Sequence, residues 1–211
     1  MRYNEEKIRE LIKNGQGLEK IESDMQKAYL ILYNAFLKGK KLLVCGNGGS
    51  SADADHIVGE LVKGFKKKRK LEFEDRLEEK NVYSDKWYER LQDGMPVINL
   101  NAHNSLVSAI INDIGADLMY AQQVISYGKE GDVFLGISTS GNSENIIKAG
   151  IIAKERGIHT IGLVGHNGGM MKNIFDTIIN VELKETDRIQ EQHIRIYHTL
   201  CSMIEDSFWK E

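Results

Sequence analysis

Apolar positions along the chain follow two rhythms. Over residues 4–14 and 18–38 they recur at helical spacing, and Ile21, Met25, Ala28, Tyr29, Ile31, Leu32 and Phe36 form one broad stripe. Lys41–Cys45 (KLLVC) lacks polar alternation, as expected of a strand buried on both faces. It breaks at Gly46-Asn47-Gly48-Gly49, where Ser50 or Ser51 can cap a helix running to about Val62. Pro96–Leu100 (PVINL), Asp132–Ile137 (DVFLGI), Thr160–Val164 and Thr177–Val181 read as further strands. Helical patterns cover 104–112, 117–127 and about 143–156, and a long helix from about Glu185 to Phe208 follows the last strand.

Strands that alternate with helices predict βαβ units, a parallel sheet and right-handed crossovers. Ligands of such sheets bind beyond the carboxyl ends of the strands, at a topological switch point. The two richest polar loops, 46–51 and 138–143, each follow a strand directly, so the ligand is expected there. The stretch 66–95 departs from the rhythm: it opens with KKKRK (66–70) and continues with mixed charges and loosely helical apolar spacing. It reads as a solvated helical excursion covering an edge; the other reading is a basic patch that reaches a phosphate or another subunit's site.

Composition narrows the classes. A length of 211 residues fits a single domain spanning 1–211, with N-terminal helices over 1–40 and a charged insertion at about 66–95. With 28 Lys+Arg against 31 Asp+Glu, the net charge of −3 offers no field to gather nucleic acid. The longest apolar stretches are strand-length, which argues against a membrane, and the start, MRYNEEKIRELIK, lacks the apolar core of a signal peptide. Cys45 and Cys201 sit in apolar contexts, as buried, reduced thiols of a cytoplasmic protein would. Twenty glycines against one proline suggest backbone approaching a ligand at a few loops.

Loop 138–143 offers Ser138, Thr139, Ser140 and Ser143 around Gly141, and it ends at a helix start, where free N–H groups favour an anion. Such a cradle suits a phosphate monoester that must bind and leave. Loop 46–51 (GNGGSS) fails the dinucleotide fingerprint at Ser51, and the chain has no G-x-x-x-x-G-K. What remains is a tight turn through Gly48 that presents Asn47, Ser50 and Ser51, which fits a phosphorylated sugar better than a nucleotide. Four residues separate His56 from Glu60, so they share a helix face and can ligate one metal or exchange protons with one substrate. The last helix carries Asp187, Gln190, His193 and His198. Gln190 and His198 lie about two turns apart, roughly 12 Å, too far to converge on one small ion unless different subunits supply them.

GNGGSSADADHIVGEL (46–61), GISTSGNSENIIKA (136–149), GLVGHNGGMMK (162–172) and DRIQEQHIRIYH (187–198) together resemble the sugar isomerase (SIS) domain, and within it the phosphoheptose isomerase family. The resemblance covers nearly the whole chain except roughly 66–95. It implies a three-layer α/β/α SIS domain of flavodoxin-like, Rossmann-like nesting with a five-stranded parallel sheet, assembled as a homotetramer with active sites between subunits. The implied reaction is conversion of sedoheptulose 7-phosphate to D-glycero-D-manno-heptose 7-phosphate through an enediol or enediolate. By motif, Ser50, Ser138, Thr139, Ser140 and Ser143 would hold the phosphate, with Asn47, Gly48, Ser51 and Asp53 nearby. Glu60 matches the family's base and His198 its partner acid. His56, Glu60, Gln190 and His198 match positions that bind zinc (Zn2+), one per active site, in some members. Asp113, Asp187 and Gln190 match groups of the family's substrate site. Where the family commonly has a Gly-Arg-aromatic pattern, this chain has Lys63-Gly64-Phe65. The competing readings are an isomerase of another phosphosugar and a non-catalytic SIS protein that senses one.

Overall fold

A computed structural model describes residues 2–209. Helices α1 (Arg2–Asn14) and α2 (Glu22–Leu37) precede strand β1 (Leu42–Gly46), and α3 (Gly49–Val62) follows it after a two-residue break. The short helix α4 (Glu74–Glu78) is succeeded by β2 (Val97–Asn99), α5 (Asn104–Asp113) and α6 (Met119–Tyr127). Then come β3 (Val133–Ser138), α7 (Glu144–Glu155), β4 (His159–Gly165), β5 (Thr177–Val181) and α8 (Thr186–Phe208). The elements expected from the patterning are present. Helix α2 starts four residues later than the expected position 18, because Leu18 and Ile21 are buried from a turn rather than from helix. The PVINL strand shrinks to three residues, since it lies at the sheet edge and pairs only with β1.

The five strands are parallel, in the order β2-β1-β3-β4-β5. Side chains of successive strand residues point to opposite faces. Leu42, Val44, Val133, Leu135, Ile137, Ile161 and Leu163 therefore join one apolar layer, which includes buried residues of α1, α2, α3 and α8. Leu43, Cys45, Phe134 and Val164 join the opposite layer with α6 and α7. Both cysteines are free and buried. No helix among the described residues is long and apolar enough to cross a membrane.

This strand order reverses direction between β1 and β3, which makes the crevice beyond their carboxyl ends the switch point. Gly46, the last residue of β1, is in register with Ile137 of β3. The two polar loops thus leave the sheet side by side.

The segment at 66–95 differs from the expected solvated excursion. It holds only the five-residue α4 and a short 3-10 turn at Trp87–Arg90, and it is anchored inward. Arg69, in the middle of the basic run, is fully buried and paired with Glu205 of α8 at 2.9 Å. Its guanidinium also donates to the backbone oxygens of Leu61 (2.6 Å) and Glu60 (2.8 Å), capping the end of α3. Arg69 is therefore not available to a phosphate.

Candidate active site

Loop 138–143 folds into a compact hydroxyl cluster. Ser138 Oγ lies 2.8 Å from Ser143 Oγ and 3.5 Å from Ser140 Oγ. Ser138 is buried, Thr139 and Ser143 are half-buried, and Ser140 is exposed at the loop's outer edge. Gly141 has φ +64°, and a Cβ there would stand 2.1 Å from the Gly168 carbonyl oxygen, so only glycine lets the two loops meet. Ser143 directly precedes α7, whose first N–H groups lack helical acceptors and carry the positive end of the helix dipole. Hydroxyls and backbone N–H groups so arranged donate to an anion without adding charge.

The β1 loop is tied to this cluster through side-chain amides. Asn47 and Asn145 exchange two hydrogen bonds of 3.0 Å, and the Tyr120 hydroxyl donates to Asn47 Oδ1 at 2.9 Å. Ser50 is buried beneath the turn and Ser51 half-buried. At Gly49 a Cβ would come within 2.5 Å of the Gln190 side-chain nitrogen, so glycine lets Gln190 of α8 lie against the start of α3.

A second cluster forms at the far end of α3, where α3 packs on α8. His56 Nε2 is 3.0 Å from Glu60 Oε1 and 3.3 Å from His198 Nε2. One atom from each of the three residues lies within 4.8 Å of the others. Around a tetrahedral ion with bonds of about 2.0–2.1 Å, neighbouring ligand atoms stand about 3.3 Å apart, and the donors are two imidazoles and a carboxylate. The three side chains form a group of the kind that can hold a metal ion. The His198 ring lies 5.4 Å from the Phe65 ring, and burial together with the neighbouring His56 holds its pKa below the ordinary histidine value. A cavity of about 620 Å³ opens beside His198, with Lys66, Lys67, Arg195 and Asp206 in its walls.

Comparisons with known proteins identify the family of this fold. The SIS domain family matches residues 5–98 and 94–165. The phosphoheptose isomerase of Nitratiruptor sp. is 41% identical over 204 residues, covering 95% of this chain and 97% of that protein. That of Clostridium acetobutylicum is 40% identical over 201 residues, covering 95% and 89%. The solved phosphoheptose isomerase from Neisseria gonorrhoeae superposes with a TM-score of 0.75 at 31% identity, over 95% of this chain and 94% of that one. The chain belongs to the phosphoheptose isomerase family.

Within this family member, the expected site residues fall into distinct places. Ser138, Thr139, Ser140 and Ser143 come together with Asn47, Gly48, Ser50 and Ser51 at the switch point. His56, Glu60 and His198 come together at the other end of α3. Gln190 does not join them: it sits by Gly49, seven residues and about 10 Å from His56 along the helix. Asp187 is exposed in the first turn of α8, and Asp113 is exposed at the end of α5, where it accepts from Asn112 at 2.7 Å. Asp53 turns inward: it is 7% exposed and accepts from the Tyr197 hydroxyl at 3.4 Å. Burial pushes its carboxyl up, against the Tyr197 hydroxyl and the nearby His56. His193 is a core residue, fully buried, with Nε2 3.2 Å from the Val164 carbonyl oxygen; burial lowers its pKa to about 4.

Sequence reasoning passed over Tyr197, Tyr120 and Asn145. A signal existed for Tyr197, which lies on the buried stripe of α8, where a phenol needs a polar partner.

Proposed function

We propose that the protein is a phosphosugar aldose–ketose isomerase, and that its substrate is sedoheptulose 7-phosphate, converted to D-glycero-D-manno-heptose 7-phosphate. The observation that carries this is the meeting of His56 and Glu60 of α3 with His198 of α8, while the other end of α3 adjoins a hydroxyl-lined anion cradle. Family relatives named phosphoheptose isomerase over nearly the full chain support the substrate. The chain is read as one SIS domain over 1–211, working in the cytoplasm.

The reaction moves one proton between adjacent carbons. The Glu60 carboxylate removes a proton from C1 of the ketose, and His198 gives a proton to the carbonyl oxygen at C2, forming the enediol. Returning the C1 proton to C2 while the O1 hydroxyl gives its proton to His198 produces the aldehyde, and both side chains are restored. Burial and the neighbouring His56 lower the His198 pKa, so its protonated form gives up its proton to the carbonyl oxygen more readily. His56, Glu60 and His198 would hold a zinc ion, which when bound supplies polarisation of the sugar oxygens. Glu60 Oε1 faces His56, which leaves Oε2 for the C1 proton.

Ser50 and Glu60 are ten residues apart on α3, about 15 Å along its axis. Gln190 and His198 divide between the same two ends. We place the complete site between subunits of a homo-oligomer, a tetramer by family resemblance, with a second copy bringing one end to the other. The test is a panel of ketose phosphates of five to seven carbons, assayed for aldose formation with and without chelator. Conversion of the seven-carbon ketose is expected. Phosphosugar binding without conversion of any of them would make the protein a sensor instead.

A further inference from the structure

On the protein side of His56 lies a polar chain that the reaction scheme does not use. Tyr197 is 2% exposed and Asp53 is 7% exposed, where α3 packs on α8. The Tyr197 oxygen is 2.9 Å from His56 Nδ1 and 3.4 Å from Asp53 Oδ1, while Asp53 Oδ2 has no partner. On its other side the same ring presents Nε2 to Glu60 and His198.

One phenol carries one proton, so its direction sets the tautomer of the ring. If the hydroxyl donated into His56 Nδ1, both oxygens of a buried carboxylate would be left without a hydrogen bond, the more costly outcome in a dry site. If it donates to Asp53, the phenol oxygen accepts from His56 Nδ1–H, and each of the three groups has at least one hydrogen bond. The competing acceptor, Glu60, can turn to water: its side chain is 14% exposed and that of His56 is 44% exposed. We propose that Asp53 and Tyr197 are positioning residues, a relay that keeps the His56 proton on Nδ1 and aims the Nε2 lone pair at Glu60 and His198. Partners of this kind on the outer nitrogen orient a ligating histidine and make it a better donor. The relay therefore prepares His56 to bind a transition-metal cation before one arrives. That consequence rests on the metal-binding reading of the site; the ring tautomer does not.

The experiment uses the metal-free full-length protein with 15N-labelled histidine, at a pH where the ring is neutral. Long-range 1H–15N spectra report which nitrogen carries the proton, and His56 is assigned by its loss in His56→Gln. The wild type is expected to show Nδ1–H at His56, and Tyr197→Phe to show Nε2–H, now donated to Glu60. A wild type with Nε2–H, or a spectrum unchanged in Tyr197→Phe, overturns the relay; the wild-type spectrum decides even if the variant fails to fold. A cobalt titration of the same proteins then reads the consequence, with binding expected to weaken about 10–100-fold in Tyr197→Phe. Equal affinity in a folded variant overturns the preparatory role. A wild type that takes up no cobalt overturns the metal-binding reading, and the spectrum still decides the tautomer.

Discussion

Replacing Arg69 with Met tests how the charged segment serves the site. The guanidinium is fully buried, bonds Glu205 at 2.9 Å and two α3 carbonyls at 2.6 and 2.8 Å, and lies 4.3 Å over the Trp209 ring. Removing one partner of a buried ion pair costs about 3–5 kcal/mol, because the other charge stays behind unpaired. Here the low end applies. Glu205 keeps the Phe65 N–H on one oxygen and the Lys66 N–H on the other, both at 2.8 Å, and the Leu61 oxygen keeps Met95 N–H at 2.9 Å. A loss of about 3 kcal/mol, at about 2–4 °C per kcal/mol for a chain of this size, lowers Tm by about 6–12 °C. Urea unfolding should show a lower midpoint at unchanged slope. The double variant Arg69→Met, Glu205→Met should be more stable than the sum of the single losses predicts, since it leaves no orphaned charge. A loss below about 1 kcal/mol, or strict additivity, would refute the reasoning.

Three further outcomes follow from the site and core. His193 is neutral in the fold, with a pKa of about 4 against 6.5 outside it, so the unfolded chain binds the extra proton between these values. Its contribution is complete above about pH 6.5 and falls by about 3 kcal/mol as the pH drops to about 4; urea midpoints across that range should slope less in His193→Leu, and an equal slope would remove His193 as the cause. Gly141→Ala forces a left-handed φ on alanine and a clash with Gly168, so it should cost about 1–3 kcal/mol of stability and weaken phosphosugar binding by calorimetry; wild-type affinity would contradict the loop contact. Ser138→Ala removes a hydroxyl bonded to Ser143 in the cradle and should raise KM more than it lowers kcat, whereas a loss confined to kcat would move Ser138 out of the phosphate site.

Much of this was legible locally. Each polar loop is contiguous in sequence and follows a buried-type strand, so its place at the switch point came from order alone. His56 and Glu60 are four apart on a helix, and the separation of Gln190 from His198 followed from helical rise. The rest depended on contacts distant in sequence. Arg69 reads as one cation in a solvated basic run, yet its burial is decided by Glu205, 136 positions away. Asp53 falls near the sugar by the family motif alone, and its direction is set by Tyr197 from α8. Nothing within residues 66–70 could distinguish the buried arginine from its solvated neighbours.

The central claim is that Glu60 moves the proton of a phosphosugar isomerisation. Sedoheptulose 7-phosphate incubated with the protein in D2O and followed by 1H NMR tests it most directly. The wild type should form the aldose, with deuterium at C2 wherever the proton held by Glu60 exchanges with solvent before its return, while Glu60→Gln, folded and still binding the ketose, should form almost none. A wild type that returns the ketose unchanged, or a Glu60→Gln variant that converts it at the wild-type rate, would contradict the account.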